Sequence, residues 1–455
     1  MRVAPARAVA FDTIRAVHES DAFANLLLPT SISRAGLSAS DAALATELTY
    51  GTLRRQGTYD AVIAIAADRA VHDIDPGVLD ALRLGVHQLM STRVASHAAV
   101  NESVELARAS AGRAASGFAN AVLRRVSRDT PGEWMSRIAD LARSDDERIS
   151  LTHAHPVWVV RALRRALAAE GRADELEALL TADNAAPRVT MAALPGLAER
   201  PDDARHTPFS PVGFRLEGGD PEAVIAQAQG RVRVQDEGSQ LAALALTRAV
   251  PVRAGERWLD LCAGPGGKTA VLAAEALAHG ATLEANEISP ARAGLVRKAI
   301  AGVPLEVPVS EQDGRVRAGE APGEYDRILV DAPCTGLGAL RRRPEARWRK
   351  AAADVPELTA LQIELLGAAV GALKPGGIVA YVTCSPHLAE TAGVVAEVRR
   401  EWGEALEEVS AGAVVTALSD SDPNLAPQAD GSGRAQLWPH RHNTDAMSIS
   451  LLRRV

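Results

Sequence analysis

Three thiols are the most reactive side chains in this sequence. The 455-residue chain contains Cys262, Cys334 and Cys384, and each follows an apolar stretch that predicts a buried β-strand. Their spacing excludes a CxxC zinc or redox motif, so we predict no metal site. Because three cysteines cannot all pair in disulfides, the composition favours a reducing compartment. In such a compartment the thiols stay free, and a free thiol at the end of a strand is a candidate nucleophile.

Carboxylates also occur at the ends of predicted strands. Four of them end successive strands, namely Asp260, Glu287, Asp313 and Asp331. In doubly wound sheets the ligand lies in the crevice beyond the carboxyl ends of the strands. A row of carboxylates there suits a nucleoside that brings no phosphates to neutralise. S-adenosylmethionine fits this description, because it carries a ribose, an adenine and a positively charged sulfonium.

A glycine-rich turn joins the first of these strands to a helix. A Walker A loop would need glycine at position 262, and the dinucleotide pattern GxGxxG would need it at position 269. Since neither glycine is present, both phosphate-binding motifs are excluded. What remains is a GxG turn, followed about 20 residues later by Glu287, a carboxylate suited to ribose hydroxyls.

Apolar periodicity divides the chain into three parts. Residues 1–130 repeat apolar side chains every three or four positions, which predicts an all-α bundle. Residues 131–234 continue as helix and then change to short β-like pieces, which predicts a helical connector and a small α+β subdomain. Residues 235–455 alternate strand and helix, which is typical of a Rossmann-like, doubly wound α/β domain.

Composition and charge narrow the functional classes. Hydrophobic residues make up 47% and charged residues 24% of the chain, which excludes a disordered or fibrous protein. The formal net charge of -7 argues against a general polycation, so nucleic-acid contact is expected only in patches. The N-terminus lacks the apolar core of a signal peptide, and no run of about 18 apolar residues occurs. We therefore expect a cytoplasmic protein with no membrane partner.

Several segments resemble the motifs of one enzyme family. They are LDLCAGPGGKT (259–269), DAPCTGLG (331–338), VTCS (382–385) and LWPHRHNTDAM (437–447). These segments are similar to those of the RNA cytosine-5 methyltransferases of the Nop/Sun family. The helical residues 1–130 resemble the NusB fold, and that combination points to bacterial members that modify 16S ribosomal RNA. The resemblance implies a NusB-like RNA-binding domain and an S-adenosylmethionine-dependent catalytic domain.

The resemblance also implies roles for individual residues. Cytosine carbon 5 is a poor nucleophile, and addition of a thiolate at carbon 6 makes carbon 5 enamine-like. We assign Cys384 as the nucleophile, Asp331 as the partner of the pyrimidine N3 edge, and Cys334 as a helper in release of the adduct. The implied cofactor site consists of Cys262, Ala263, Gly264, Pro265, Gly266, Gly267, Lys268, Glu287, Asp313 and Asp331.

Two positions of the implied cofactor site depart from the family pattern. Gly264 stands where a second alanine is usual, and Glu287 stands where aspartate is frequent. We expect both changes to leave the chemistry intact, since glycine is a small residue and the longer carboxylate still reaches a ribose.

A basic segment directly follows the Cys334 loop and includes the aromatic Trp348. Basic side chains beside an aromatic ring suit a phosphate backbone and an unstacked base. The target cytosine must leave its stack to reach Cys384, so we expect a single-stranded or loop substrate in 16S RNA. The predicted RNA-binding residues are Arg341, Arg342, Arg343, Arg347, Arg349 and Lys350.

Two other functions stay open at this point. The enzyme could act on tRNA, because the motifs do not separate tRNA from rRNA. Alternatively, the chain could be a non-catalytic NusB-like RNA-binding protein of the transcription-antitermination kind. The intact Cys334, Cys384 and Asp331 argue against this last function, because an idle site has no chemical need for them. The oligomeric state is also open, with a monomer as the expectation.

Overall fold

The structure, a computed structural model, describes residues 3–20 and 22–455. The chain divides into two compact units. The helical unit comprises Met1–Arg161, Asp183–Ala185 and Leu340–Lys350. The sheet unit comprises Ala162–Ala182, Ala186–Ala339 and Ala351–Val455.

The first part of the helical unit is a bundle around one apolar core. Ser38 and Asp75 cap two of its helices, because their side chains accept hydrogen bonds from the backbone N–H groups of Asp41 and Val78. The long helix α6 bends at Ala111 and Gly112, where the backbone leaves helical geometry. In chain order the helices are α1 (Pro5–Glu19), α2 (Ala24–Arg34), α3 (Ala39–Arg54), α4 (Gln56–Ala67), α5 (Pro76–Ser91), α6 (Ser96–Val126), α7 (Pro131–Ala139) and α8 (Asp145–His153).

A small α+β subdomain follows two connecting helices, α9 (Val157–Ala168) and α10 (Leu176–Asp183). Its three strands form an antiparallel sheet with β1 in the centre, flanked by β2 and β3. The elements are β1 (Thr190–Ala193), β2 (Gly213–Arg215), α11 (Pro221–Gln227) and β3 (Val232–Val234).

The rest of the sheet unit alternates strands and helices, as the periodicity predicts. One short helix of this stretch, α16, belongs to the helical unit. In chain order the elements are α12 (Glu237–Arg248), β4 (Arg257–Asp260), α13 (Gly267–His279), β5 (Thr282–Asn286), α14 (Pro290–Ile300), β6 (Val309–Ser310), α15 (Gly314–Gly319), β7 (Tyr325–Asp331), α16 (Ala346–Arg349), α17 (Val355–Ala372), β8 (Leu373–Thr383), α18 (Val394–Trp402), β9 (Leu406–Val409), α19 (Ala411–Leu418), β10 (Ala435–Gln436), α20 (Pro439–His442) and β11 (Ser448–Arg454).

The large sheet has the strand order β10-β11-β8-β7-β4-β5-β6, and β9 pairs with β11. Strands β4 to β8 run parallel, whereas β11 is antiparallel to β8. The order reverses between β4 and β7, which is where doubly wound sheets bind their ligands. The carboxyl ends of β4, β7 and β8 therefore lie side by side at one edge.

Both faces of this sheet are covered, which is why its strands are apolar over nearly their whole length. In β7, Leu329 packs into the core shared with α12 and α13, whereas Ile328 and Val330 pack into the core shared with α17. This architecture confirms the predicted fold class, an all-α domain followed by a Rossmann-like domain with a small α+β subdomain. Among the described residues, one helical stretch, Ala352–Ala372, is long and apolar enough to cross a membrane, and it packs on β7, β8 and α18.

Candidate active site

The glycine-rich turn connects β4 to α13, and its backbone packs closely against α14. Gly266 caps α13 with a φ of +101°. A Cβ atom at this position would lie 2.5 Å from the Cβ of Ala299 and 2.8 Å from the Cα of Val296. Glycine is therefore required here for both conformation and space. The turn leaves the N–H groups that begin α13 at the carboxyl edge of the sheet, where a ligand can reach them.

Asp260, the last residue of β4, carries an unsatisfied carboxylate oxygen. Its side chain is completely buried, and its Oδ2 accepts a hydrogen bond of 2.7 Å from the Thr269 hydroxyl. Its Oδ1 has no hydrogen-bond partner among the described residues. Burial raises the pKa of Asp260 to about 7, although the Thr269 hydrogen bond acts in the opposite direction. A buried acceptor of this kind fits a ligand that brings a donor or a positive charge.

Glu287 follows β5 and holds the glycine-rich turn from the side. Its Oε2 accepts the N–H of Gly264 at 3.0 Å, and its Oε1 accepts the N–H of Ser289 at 3.0 Å. The guanidinium of Arg292 lies 3.5 Å from Oε2. A Cβ atom at position 264 would lie only 2.2 Å from this Oε2. The absence of a side chain at Gly264 thus makes room for the longer carboxylate at position 287.

We expect Gly264→Ala to weaken S-adenosylmethionine binding by about tenfold or more, because the new methyl group displaces the Glu287 carboxylate. Glu287→Asp alone should also weaken binding, since the shorter side chain withdraws from the Gly264 N–H. The double variant should recover much of the affinity, with a coupling energy of about 1 kcal/mol or more. These effects form a double-mutant cycle, which is measured by titration calorimetry on the parent protein, the two single variants and the double variant.

The control for this cycle is Gly294→Ala in α14, where an added Cβ meets nothing within 4 Å. This variant should bind the cofactor as tightly as the parent protein. Strictly additive losses in the double variant would contradict a direct steric link between positions 264 and 287.

Asp313 caps α15 and is engaged by a neighbouring arginine. Its Oδ1 accepts the backbone N–H of Arg315 at 2.9 Å and the Arg315 Nε at 2.9 Å. The hydrogen bonds to Arg315 hold the pKa of Asp313 below its ordinary value. The carboxylate is ionised and lies at the start of α15, beyond Ser310, the last residue of β6, and part of its hydrogen-bonding capacity is used within the protein.

Asp331 ends β7 and pairs with the lysine of the glycine-rich turn. The Lys268 ammonium lies 2.8 Å from Asp331 Oδ2. Burial lowers the pKa of Lys268, but the negative groups around it, foremost the Asp331 carboxylate, together outweigh this effect, so the pKa lies above its ordinary value. The negative charge of a Cys384 thiolate also contributes to this increase, which places the Lys268 cation within electrostatic reach of that sulfur. A nearby cation favours a thiolate.

Cys334 and Cys384 meet because β7 and β8 are adjacent and parallel. Asp331 pairs with Val382 in the sheet register, and the two chains continue from there into the loops that carry the thiols. The two Sγ atoms are 3.5 Å apart. The hydrogen bond to Cys384 and then burial raise the pKa of Cys334 well above its ordinary value. The raised pKa keeps Cys334 a neutral thiol, and its sulfur is hydrogen-bonded to the Cys384 sulfur.

Cys262 differs from the other two thiols. Burial raises its pKa strongly, and its side chain packs against the apolar core shared with α17. It is a neutral thiol that lines the turn.

The basic segment after the Cys334 loop lies within the helical unit, and two of its arginines are buried. Arg347 is 0% exposed, and its guanidinium donates to the carbonyls of Arg54 and Ala154 and to the Asn184 side chain. Burial lowers the pKa of Arg347 to about 9. Arg341 is 3% exposed. The structure therefore buries Arg341 and Arg347, two of the six residues that the sequence analysis assigns to RNA contact.

The other members of the segment are closer to solvent. Arg349 donates to the Val17 carbonyl at 2.9 Å, and its guanidinium lies over the Phe23 ring. Arg343 is exposed and lies over the same ring, with 5.9 Å between guanidinium and ring centre. Arg342 and Lys350 are half-buried.

Sequence reasoning missed one buried carboxylate beside the thiols, Glu390. It is completely buried and accepts hydrogen bonds from Thr335 and Ser385, the residues that follow the two cysteines. The only sequence signal was an acidic residue on an otherwise apolar stretch shortly after Cys384.

Comparisons with known proteins place the chain in a family. A family model described as 16S rRNA methyltransferase RsmB/F matches residues 248–453, and the NusB family model matches residues 4–128. The ribosomal RNA small subunit methyltransferase B of Pseudomonas putida is 34% identical over 87% of this chain and 87% of that protein. The chain belongs to the RsmB/F methyltransferase family.

Other members and structures agree with this assignment. A Mycobacterium tuberculosis (strain H37Rv) protein that is named as a methyltransferase is 48% identical over 99% of this chain and 97% of its own length. The crystal structure of PH0851 matches 99% of both chains with a TM-score of 0.80, and at 22% identity this likeness shows the fold.

As a member of this family, the protein is an S-adenosylmethionine-dependent RNA methyltransferase, and it contains a NusB domain. The predicted family, enzyme class and cofactor are thus confirmed.

Proposed function

We propose that this RsmB/F enzyme methylates carbon 5 of a cytosine in 16S ribosomal RNA through a covalent bond between Cys384 and carbon 6. The observation that carries the proposal is the pair of thiols, 3.5 Å apart at the carboxyl ends of adjacent strands and next to Asp331. Methylation of an amino or hydroxyl group needs no thiol, whereas carbon 5 of cytosine needs activation. The names of the family and of the Pseudomonas putida relative support ribosomal RNA as the substrate.

Cys384 performs the addition. Its thiolate, favoured by the Lys268 cation, forms a bond to carbon 6 while the pyrimidine ring takes up the electron pair. Asp331 is assigned to the N3 edge of the pyrimidine, where negative charge develops. Lys268 is hydrogen-bonded to Asp331 and keeps that carboxyl group in place. Carbon 5 becomes nucleophilic as a result.

Cys334 performs the release. When Cys384 is bonded to carbon 6, it no longer carries the charge that raises the Cys334 pKa. Cys334 is then better able to serve as the base that removes the carbon 5 proton. The electron pair of that C–H bond forms the carbon 5–carbon 6 double bond, and the Cys384 thiolate leaves. Cys334 then carries the proton that was on carbon 5, and Cys384 is free to react again.

The cofactor site extends from the glycine-rich turn to the ends of β5, β6 and β7. We place the cationic amino-acid part at Asp260 Oδ1, which lacks a partner among the described residues. Glu287 and Asp313 are assigned to the nucleoside, and residues 262–268 supply the backbone of the cradle. S-adenosylmethionine supplies the methyl group when it is bound there.

Cofactor affinity is expected to rise with pH up to about 7. In the free protein burial raises the pKa of Asp260 to about 7, so below that pH the carboxyl is neutral and must lose a proton to bind a cation. Affinity should fall about tenfold per pH unit below this point. Calorimetry between about pH 5.5 and 7.5 measures the slope, and Asp260→Asn should flatten it.

Asp313→Asn is the matched control, because the hydrogen bonds from Arg315 already hold the pKa of Asp313 low. This variant should keep the pH slope of the parent protein. An unchanged slope in Asp260→Asn would contradict the assignment of Asp260 to the cofactor cation.

The RNA contact is assigned to the part of the basic segment that is not fully buried, namely Arg342, Arg343, Arg349 and Lys350. Arg343 lies over Phe23, an aromatic side chain that is 43% exposed. A cationic and an aromatic group side by side can bind a phosphate and a splayed base.

The test is transfer of labelled methyl groups from S-adenosylmethionine to unmodified 16S rRNA and tRNA transcripts, followed by digestion and identification of the labelled nucleoside. We expect 5-methylcytidine from the 16S transcript. Labelled 5-methylcytidine from tRNA alone would move the substrate to tRNA. A labelled nucleoside other than 5-methylcytidine would overturn the proposed chemistry.

A further inference from the structure

Glu390 connects the two loops that carry the thiols. It lies in a π-helical turn, Ala389–Gly393, just before α18, and its side chain is completely buried. Its Oε1 accepts the backbone N–H of Thr335 at 2.7 Å. Its Oε2 accepts the hydroxyls of Thr335 at 2.5 Å and Ser385 at 2.6 Å.

Thr335 and Ser385 directly follow Cys334 and Cys384 in the chain. Their hydroxyls are also 3.0 Å from each other. One carboxylate thus fixes the residue next to each sulfur, in the two loops that follow β7 and β8.

The carboxylate is itself held in place from two further elements. The Tyr381 hydroxyl donates to the Glu390 carbonyl at 2.7 Å, which ties the turn to β8. The Gln362 amide of α17 donates to Glu390 Oε1 at 3.3 Å and to the Pro333 carbonyl, just before Cys334, at 2.8 Å. Glu390 is therefore the centre of a network and has little freedom to move.

Burial of a carboxylate is unfavourable unless hydrogen bonds compensate for the lost water. Here four donors converge on the two oxygens, and three of them come from the residues after the thiols. Hydrogen bonds to an ionised acceptor are shorter and stronger than neutral ones. A carboxylate at this place is thus well suited to keep two loops at a fixed distance.

We infer that Glu390 is a positioning residue that sets the Sγ–Sγ distance of Cys334 and Cys384 for addition and release. This inference rests on the proposed function, because the distance matters only if both thiols take part in the reaction. A misplacement of about 1 Å in a catalytic group can cost about 10²-fold in rate.

The first test probes the thiol pair without RNA or cofactor. Phenylarsine oxide captures two nearby thiols as a cyclic dithioarsenite with release of one water, so its affinity reports their separation. We expect Glu390→Ala to weaken capture by about tenfold or more, because the loops are no longer pre-organised. Glu390→Gln should stay close to the parent protein, since the amide has the same size and the hydroxyls can rotate. Cys334→Ala gives the affinity for phenylarsine oxide of a protein that lacks the thiol pair.

The second test measures methylation. Glu390→Ala should lower kcat on the order of 10²-fold while the dissociation constant of S-adenosylmethionine stays unchanged, and Glu390→Gln should restore most of the rate. If Glu390→Ala does not fold, Thr335→Val is the alternative, because it keeps the shape of the side chain and removes one hydroxyl donor. It should lower both the affinity for phenylarsine oxide and kcat.

Glu237→Ala is the matched control, because Glu237 is another buried carboxylate, which accepts the N–H groups of Phe209 and Ser210. It should leave arsenical capture unchanged. Parent-like capture and kcat in Glu390→Ala would overturn the positioning role. Weakened capture in that variant, together with a parent enzyme that makes no 5-methylcytidine, would support the link between the loops and overturn the proposed function alone.

Discussion

Cys384→Ala is expected to abolish methyl transfer to RNA, with a loss on the order of 10³-fold or more. The structure gives the reason, because Cys384 is hydrogen-bonded to Cys334 and lies within electrostatic reach of the Lys268 cation, and a nearby cation favours a thiolate. Without it carbon 5 of cytosine is not activated. Single-turnover incorporation of labelled methyl groups into 16S RNA measures the loss.

Cofactor binding is the control for Cys384→Ala. The variant should bind S-adenosylmethionine as tightly as the parent protein, since the glycine-rich turn and the carboxylates Asp260 and Glu287 are untouched. Turnover at the parental rate would contradict the assignment of the nucleophile.

Cys334→Ala is expected to accumulate a covalent protein–RNA adduct that already carries the new methyl group. Addition requires only Cys384, so it proceeds, whereas release needs a base for the carbon 5 proton. Cys334, 3.5 Å from the Cys384 sulfur, is the group in place for this task. A denaturing gel with labelled RNA should show the adduct as a slowly migrating band, which the parent enzyme shows only in trace amounts.

The double variant Cys334→Ala/Cys384→Ala is the control for the trapped adduct. It should form no covalent band, because the sulfur that bonds to carbon 6 is gone. Parental turnover of Cys334→Ala without an adduct would show that another group removes the proton.

The fold and the meeting of the two thiols could be predicted because they depend on strand order. Alternating strands and helices predict a doubly wound sheet, in which the ends of parallel strands share one edge. Cys334 follows β7, Cys384 follows β8, and these strands are neighbours. The same reasoning predicts that Asp260 and Asp331, which end β4 and β7, lie at the point where the strand order reverses.

Details that depend on side-chain packing could not be predicted in this way. Arg347 belongs to a run of basic residues, which usually indicates a solvated surface, yet its guanidinium is buried among carbonyls of the helical unit. The sequence also showed Gly264 and Glu287 as two separate departures from the family pattern. The structure shows that they are neighbours in space, since the Glu287 carboxylate occupies the room that an alanine Cβ would need.

Glu390 illustrates the same limit for the catalytic loops. An acidic residue six positions after Cys384 predicts an exposed helix position by its type alone. Its burial becomes favourable only when the donors from Thr335, Ser385 and Gln362 converge on it, and these residues come from three separate parts of the chain.

The most direct test of the covalent mechanism is mass spectrometry of the enzyme after reaction with 16S RNA that contains 5-fluorocytidine. Fluorine at carbon 5 cannot leave as a proton does, so the adduct formed after methyl transfer stays bonded to the enzyme. We expect the nucleotide to be attached to the peptide that contains Cys384, and the attached base to carry one methyl group. Attachment to Cys334, or complete reaction without any covalent attachment, would contradict the covalent mechanism.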